Sequence, residues 1–287
     1  MRLVVCGQVI CVATNNMSKW VFNALRQFPW SPLLCFGLAY LAMETEPMQQ
    51  LAWRTLDWRT KIRAYFQEPA DPRIEIILFG DETELNLVTW PPDRAYHGAL
   101  IELISVTGAA VQTWDVILDS SREGDGDFSM SLGANASKVN GTQVVTGAVT
   151  YSEPIEEVPN MDGPTKPIKN IIGNVSDIYG DLSLVKPFPL LRDASWYGVV
   201  DAPKGSDGII REIPLVVRID KEVYPSLSLQ TLMAYYNVSA DDVKIVLGDA
   251  VYLPIKEKVV RVPILENGKY FINYRYDHDD IRPDFPT

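Results

Sequence analysis

Asp81 and Asp115 each close a short apolar run, RIEIILFGD and AAVQTWD, and a pair of carboxylates at the ends of two neighbouring strands is the first chemistry the chain offers. Loops diverge beyond the carboxyl ends of parallel strands and leave a crevice there. Two carboxylates in it could hold Mg²⁺ or Ca²⁺ through oxygen ligands, or pair with a cationic ligand, with Glu82, Asp119 and His97 as further members. The same aspartates could equally cap the turn or helix that follows each strand through backbone N–H groups. Arg94 carries a planar fork that can clamp an anion or pair with a nearby carboxylate. His97 lies near a helix start, where a hydrogen-bonded structural role competes with a catalytic one. Trp90 supplies a rigid apolar wall. Together Asp81, Trp90, Arg94, His97 and Asp115 form the candidate ligand-binding set, since pockets combine apolar walls with a few directional polar groups.

Other chemistries are poorly served. The three cysteines, Cys6, Cys11 and Cys35, precede Glu44, so the chain beyond it has no thiol nucleophile, disulfide or thiolate metal site. Two histidines leave little for zinc. There is no Gly-x-Ser-x-Gly elbow, no phosphate-cradling Gly-x-x-x-x-Gly-Lys-Ser/Thr loop and no Gly-x-Gly-x-x-Gly after the first strand. Ser120 and Ser121 have no placed base, and Gly124–Asp127 imitates a calcium loop without its twelve-residue pattern. A net charge of −11 argues against a nucleic-acid partner. No cofactor, metal or catalytic activity is expected. Two alternatives stand beside that reading: a metal-dependent hydrolase using Asp81 and Asp115, and a periplasmic binding protein, which would need two comparable lobes and a cleavable signal.

The elements that must position these residues alternate in type. Ile74–Phe79 reads as a buried strand, about Asp93 to Thr107 as a helix stopped by Gly108, and AAVQTWDVIL as a second strand. A helix over DFSMSLGANASKVN and a strand over TQVVTGAVTY complete a β-α-β-α-β series, the signature of a largely parallel sheet with helices packed on it. Ser152–Asp181 reads as a long loop. WYGVVDA and GIIREIPLVVRI suggest an antiparallel hairpin turning at Asp207-Gly208, with Pro214 placing the second strand at an edge or bulge. A helix over Pro225–Tyr236 and short strands in KIVLGDAVYLPI, VVRVPIL and KYFINYRY follow, and the acidic tail DHDDIRPDFPT has no pattern.

Charge divides the chain. Residues 1–67 carry net +4 and residues 68–287 net −15, with no charge at all between Gln27 and Met43. That stretch is short for a bilayer span, yet positive flanks before it and acids after it fit an anchor with its N-terminus inside. The expected organisation is a cytoplasmic segment at 1–20, a membrane anchor at 21–43 and an extracytoplasmic domain at 44–287. The first sixteen residues read as an upstream extension. Met48–Phe66 reads as an amphipathic helix covering a sheet, with a membrane-surface role for Trp53 and Trp58 as the alternative.

Several stretches together resemble the CHASE2 family of extracytoplasmic sensor domains. They are TLDWRTKIR with Asp57 and Arg59, RIEIILFGDE with Asp81, and WPPDRAYHGALIELISVTGAAVQTWDVIL with Trp90, Arg94, His97 and Asp115. GVVDAPKGSDGIIREIPLVV with Gly198, Asp207, Gly208 and Arg211, then YPSLSLQ and FINYR, extend the likeness over roughly residues 48–280. The resemblance implies a single N-terminal membrane helix, an extracytoplasmic sensing domain, later membrane helices and a cytoplasmic cyclase or kinase output. The chain stops at Thr287, short of a typical sensor end. The implied protein is a bacterial signalling receptor that reads an unknown small molecule or environmental stimulus, with a homodimer among the assemblies to be expected.

Overall fold

The computed structural model describes residues 45–64, 66, 71–80, 91–122, 124–126, 142–154, 163–205 and 207–274, with Gly37 and Asn86. The chain divides into two compact units, residues 1–69 with 274–287, and residues 70–273. The first contains α1 (Glu46–Ala64), close to the helix expected over Met48–Phe66. The expected cytoplasmic segment, the anchor at 21–43 (Gly37 apart) and the acidic tail lie outside the described residues. Among the described residues no helix is long and apolar enough to cross a membrane.

The second unit is a mixed α/β assembly. Strands β1 (Val111–Ile117), β2 (Gln143–Tyr151) and β6 (Trp196–Val199) run parallel in the order β1-β2-β6, and β5 (Ser183–Val185) joins the far end of β2 antiparallel. Helix α2 (Arg94–Val106) leads into β1, and α3 (Pro189–Ala194) leads into β6. Between α2 and β1, Gly108 stands in the left-handed region (φ 87°), where a helix-ending glycine belongs. Gln112 of β1 ties strand to helix, donating from Nε2 to Ile101 O and Ser105 Oγ, both at 2.9 Å. The apolar core on that side gathers Ile101, Trp114, Leu118, Val144, Phe188 and Leu191.

The C-terminal half adds antiparallel pairing. A sheet of β12 (Lys258–Pro263), β11 (Ala250–Ile255), β10 (Lys244–Val246) and β3 (Asn170–Ile172) is antiparallel except between β10 and β3. A second joins β4 (Gly180–Asp181), β8 (Val216–Ile219) and β9 (Glu222–Pro225), while β7 (Glu212–Pro214) pairs with β13 (Lys269–Phe271). Helix α4 (Leu227–Tyr236) starts on Ser226, whose hydroxyl accepts from Leu229 N, and ends on Asn237 in a left-handed turn. Its N-terminus lies so close to β6 that a Cβ on Gly198 would meet Leu227 Cα at 2.6 Å. Only glycine fits there.

Three expectations need correction. Ile74–Phe79 forms no strand: residues 74–80 make no ladder, and Ile74, Ile76, Ile77, Leu78 and Phe79 are all exposed. A short apolar run does not by itself specify a pairing partner, which is what defines a strand. The hairpin at Asp207-Gly208 is absent too, because β6 pairs with β2 and the turn lies at Asp220-Lys221, between β8 and β9. Asp207 instead binds Arg211 with both oxygens, at 3.0 and 2.8 Å, and closes a loop of its own. Pro214 divides the expected long strand into β7, paired on one side, and β8. Part of the expected long loop is organised, since β3, a 3₁₀ turn at Val175–Asp177 and β4 fall within it.

Candidate functional site

The site is built where the first turn of α2 faces β1. Asp93 caps the helix with its side chain, accepting from Ala95 N at 3.4 Å. One turn on, His97 Nδ1 lies 3.0 Å from Asp93 O, a bond in which the ring nitrogen donates and the carbonyl accepts. The buried face of α2 is Arg94, His97, Gly98 and Ile101, the i, i+3, i+4, i+7 stripe of a core-facing helix. The imidazole, Phe79 and Trp114 form a three-ring cluster, with centroids 6.1 Å (His97–Phe79), 5.7 Å (His97–Trp114) and 6.4 Å (Phe79–Trp114) apart. Burial pushes the His97 pKa below the ordinary histidine value, the Asp93 carbonyl opposes that, and Arg94 reinforces it. The ring is therefore held neutral at pH 7.

Arg94 is equally buried. Its Nε donates to Asp125 Oδ1 at 3.2 Å, a second nitrogen donates to Ser120 O at 3.3 Å, and its guanidinium carbon sits 5.5 Å from the centre of the Phe188 ring. Asp125, buried as well, accepts from Arg122 N at 2.6 Å through its other oxygen. One carboxylate thus neutralises Arg94 and folds the loop after β1 back onto the helix. Gly124 allows the approach: φ is 87°, and a Cβ would stand 3.0 Å from Asp93 Oδ1.

β1 departs from regular pairing here. Trp114 pairs with Thr146 and Ile117 with Gly147, so Asp115 and Val116 are extra residues bulged out of the ladder. Beyond the bulge, Val116, Ile117 and Leu118 line a cavity of about 250 Å³ whose other apolar wall is Phe79, Pro91 and Pro92. Its polar members are Arg94, His97 and Arg122.

Of the candidate set, Arg94 and His97 meet in this cavity. Asp115 does not line it. Asp115 is exposed and sits in the bulge, while the hydroxyl of the preceding Thr113 lies 2.8 Å from that of Thr231 on α4. Asp119 is exposed. Asp81, Glu82 and Trp90 lie outside the described residues. Phe79, Trp114 and Asp125 went unnoticed in the sequence as site members. Period-two alternation pointed to Trp114, and the Gly-Asp-Gly motif pointed to Asp125. Among the described residues no group of three or more histidines, cysteines or acids is placed to hold a metal ion.

The model of the CHASE2 domain matches residues 33–287. The chain belongs to the CHASE2 family. CHASE2 domains are extracytoplasmic sensor domains, so the cavity at α2 and β1 belongs to a sensory fold. No curated protein and no solved structure matches the chain.

Proposed function

We propose that this CHASE2 domain is the extracytoplasmic stimulus-reading part of a bacterial transmembrane signalling receptor, anchored through residues 21–43 and without catalysis of its own. The stimulus is a small molecule taken up in the cavity between α2 and the β1 bulge. The observation that carries the reading is that cavity within a sensory fold, with apolar walls and Arg94, His97 and Arg122 as its polar lining residues. No acid is among its described lining residues, and Arg94 is already matched by Asp125. A compact anion with an apolar body fits better than the metal or cationic ligand that paired carboxylates would have held. A sensor acts by shifting an equilibrium between two arrangements, and a ligand shifts it only by its differential affinity for them.

The test joins topology to binding. A periplasm-active phosphatase fused after residue 68 should be active, and a fluorescent protein that matures only in the cytosol should stay dark; the reverse pattern rejects the extracytoplasmic reading. A thermal-shift screen of small carboxylates and phosphate esters should raise the Tm of the wild type but not of Ile117→Trp, which fills the cavity. Equal shifts in both would place binding elsewhere.

A further inference from the structure

Helix α1 carries an apolar face that its fold leaves uncovered. Met48, Leu51, Trp58 and Ile62 are exposed, Leu51 by 56% and Trp58 by 66%, and Phe66 in the following turn is exposed too. The spacing is not accidental. At 100° per residue these four helical positions fall within an arc of about 80°. Thr55 shares the arc, and its hydroxyl is turned back to Leu51 O at 2.8 Å, so it presents a methyl group outward. The opposite side of the helix is a different surface: Trp53, Leu56, Asp57 and Thr60 are partly buried there. The helix therefore has two distinct faces, one partly buried and one exposed.

The solvent-facing stripe has cations on both margins. Arg59 and Arg63 follow it on one side, and Arg54 and Lys61 precede it on the other; all four are exposed. No acidic residue falls on either margin, because Asp57 lies on the partly buried face. That arrangement disfavours a second copy of α1, since pairing two such stripes in either direction sets cation against cation where coiled coils place their salt bridges. It suits a sheet of anionic headgroups above an acyl layer. A helix lying in a membrane interface buries an apolar face flanked by basic residues, and each Lys or Arg near an anionic surface adds to the attraction. We propose that α1 lies flat on a bilayer carrying anionic lipids, with Leu51, Trp58 and Ile62 in the acyl boundary and Arg54, Arg59, Lys61 and Arg63 on phosphates. The charge-free stretch Gln27–Met43 ends just before this helix, which brings it to the same surface if that stretch is the anchor, but the inference stands on α1 alone.

The experiment uses the full chain with Cys6, Cys11 and Cys35 replaced by serine and one environment-sensitive fluorophore at Leu51→Cys, Trp58→Cys or Gln50→Cys. The protein is reconstituted into phosphatidylcholine vesicles with and without phosphatidylglycerol, each doped with a nitroxide-labelled lipid. With phosphatidylglycerol the probes at 51 and 58 should shift to the blue and be quenched by the nitroxide, while the probe at 50, off the stripe, stays aqueous. High salt should reverse the shift. Replacing Arg54, Arg59, Lys61 and Arg63 together by glutamine should reduce the quenched fraction at least about fivefold, with the circular dichroism unchanged. A probe at 51 that stays aqueous on both lipids overturns the proposal. So does one that is dry on both without nitroxide quenching, the result a protein partner or second copy would give. Failure of the anchor reads differently: the chain then leaves neutral vesicles altogether.

Discussion

The two halves of the second unit are stabilised by different physics. In the C-terminal half, Leu229, Val243, Ile245, Val251 and Leu253 are all fully buried, and α4 with the β10–β11 pairing closes a largely aliphatic core. Around α2 and β1, the interior contains an imidazole, a guanidinium and its carboxylate, among aromatic rings and beside a cavity. An aliphatic core gains by excluding everything; a buried ion pair breaks even at best against an apolar replacement. The α2–β1 half therefore spends stability on polar groups that a frame does not need, and that is the mark of a site. The C-terminal half is the scaffold that lets it do so.

The largest effect should come from cutting the buried ion pair. Asp125→Ala leaves Arg94 charged and unpaired with its side chain 6% exposed, and removes the acceptor of the Arg122 N–H. Such a break costs about 3–5 kcal/mol, on the order of a 10 °C fall in Tm. Adding Arg94→Met should restore most of that loss, since the penalty lies in the orphaned charge. In the frame, Leu253→Ala should cost about 2–5 kcal/mol through the cavity it opens, and it should leave the ligand response of folded protein unchanged. Denaturant melts of the wild type and these three variants decide the matter. If the double variant at 94 and 125 is no better than Asp125→Ala alone, the polar half is held by packing and the contrast between the halves fails.

Helix α2 was readable because it buries a face whose period shows in the local sequence, and strand β2 because it is a continuous buried run: the helix expected over 93–107 occupies 94–106, and the strand expected over 142–151 occupies 143–151. The site was half readable. Arg94 and His97 share a helical face with Ile101, which apolar periodicity alone passes over because two of its members are polar. Asp115 does not line this cavity, and a strand-end acid looks the same in the sequence whichever way its strand bulges. Asp125 was compared with a calcium loop and set aside, although its role is to pair with an arginine 31 positions earlier. Non-local partners of that kind leave no period. Nor did the run at 74–79, where hydrophobicity is plain but the ladder it would need lies elsewhere in the chain.

A smaller effect distinguishes the halves by pH. Burial lowers the folded-state pKa of His97, so the folded chain prefers the neutral ring. The stability contributed by that preference is complete above the unfolded value near 6.5 and is lost as pH falls through it towards the lowered folded value. Wild-type Tm should therefore drop between about pH 7 and pH 5 more steeply than that of His97→Gln, with a slope difference of at most about 1.4 kcal/mol per pH unit for one proton. The frame has no such group among the described residues of its core, so Leu253→Ala should keep the wild-type slope. A slope unchanged in His97→Gln would show that the ring titrates as if in water and that the three-ring cluster is open.

The smallest effect is expected at Asp115, and it tests where the boundary between site and scaffold runs. Asp115 is one covalent step from Trp114, which touches His97, and it belongs to the bulge that shapes the cavity floor. Proximity in sequence would make it a ligand group. Burial and the cavity lining say otherwise: the side chain is exposed, and Asp115 is not among the residues of the cavity wall. Asp115→Asn keeps the shape and removes the charge, so a long-range field at the cavity is the one way it could act on an anion, and water screens that field. Tm should move by no more than about 0.5 kcal/mol-equivalent, and any ligand that shifts the wild type should shift Asp115→Asn alike. Val116→Asp is the matched comparison, with a carboxylate placed one residue further on, where the chain does line the cavity; it should weaken an anionic ligand strongly. If Asp115→Asn changes binding and Val116→Asp does not, the ligand binds outside this cavity, and the cavity under α2 is a packing defect beside a bulge.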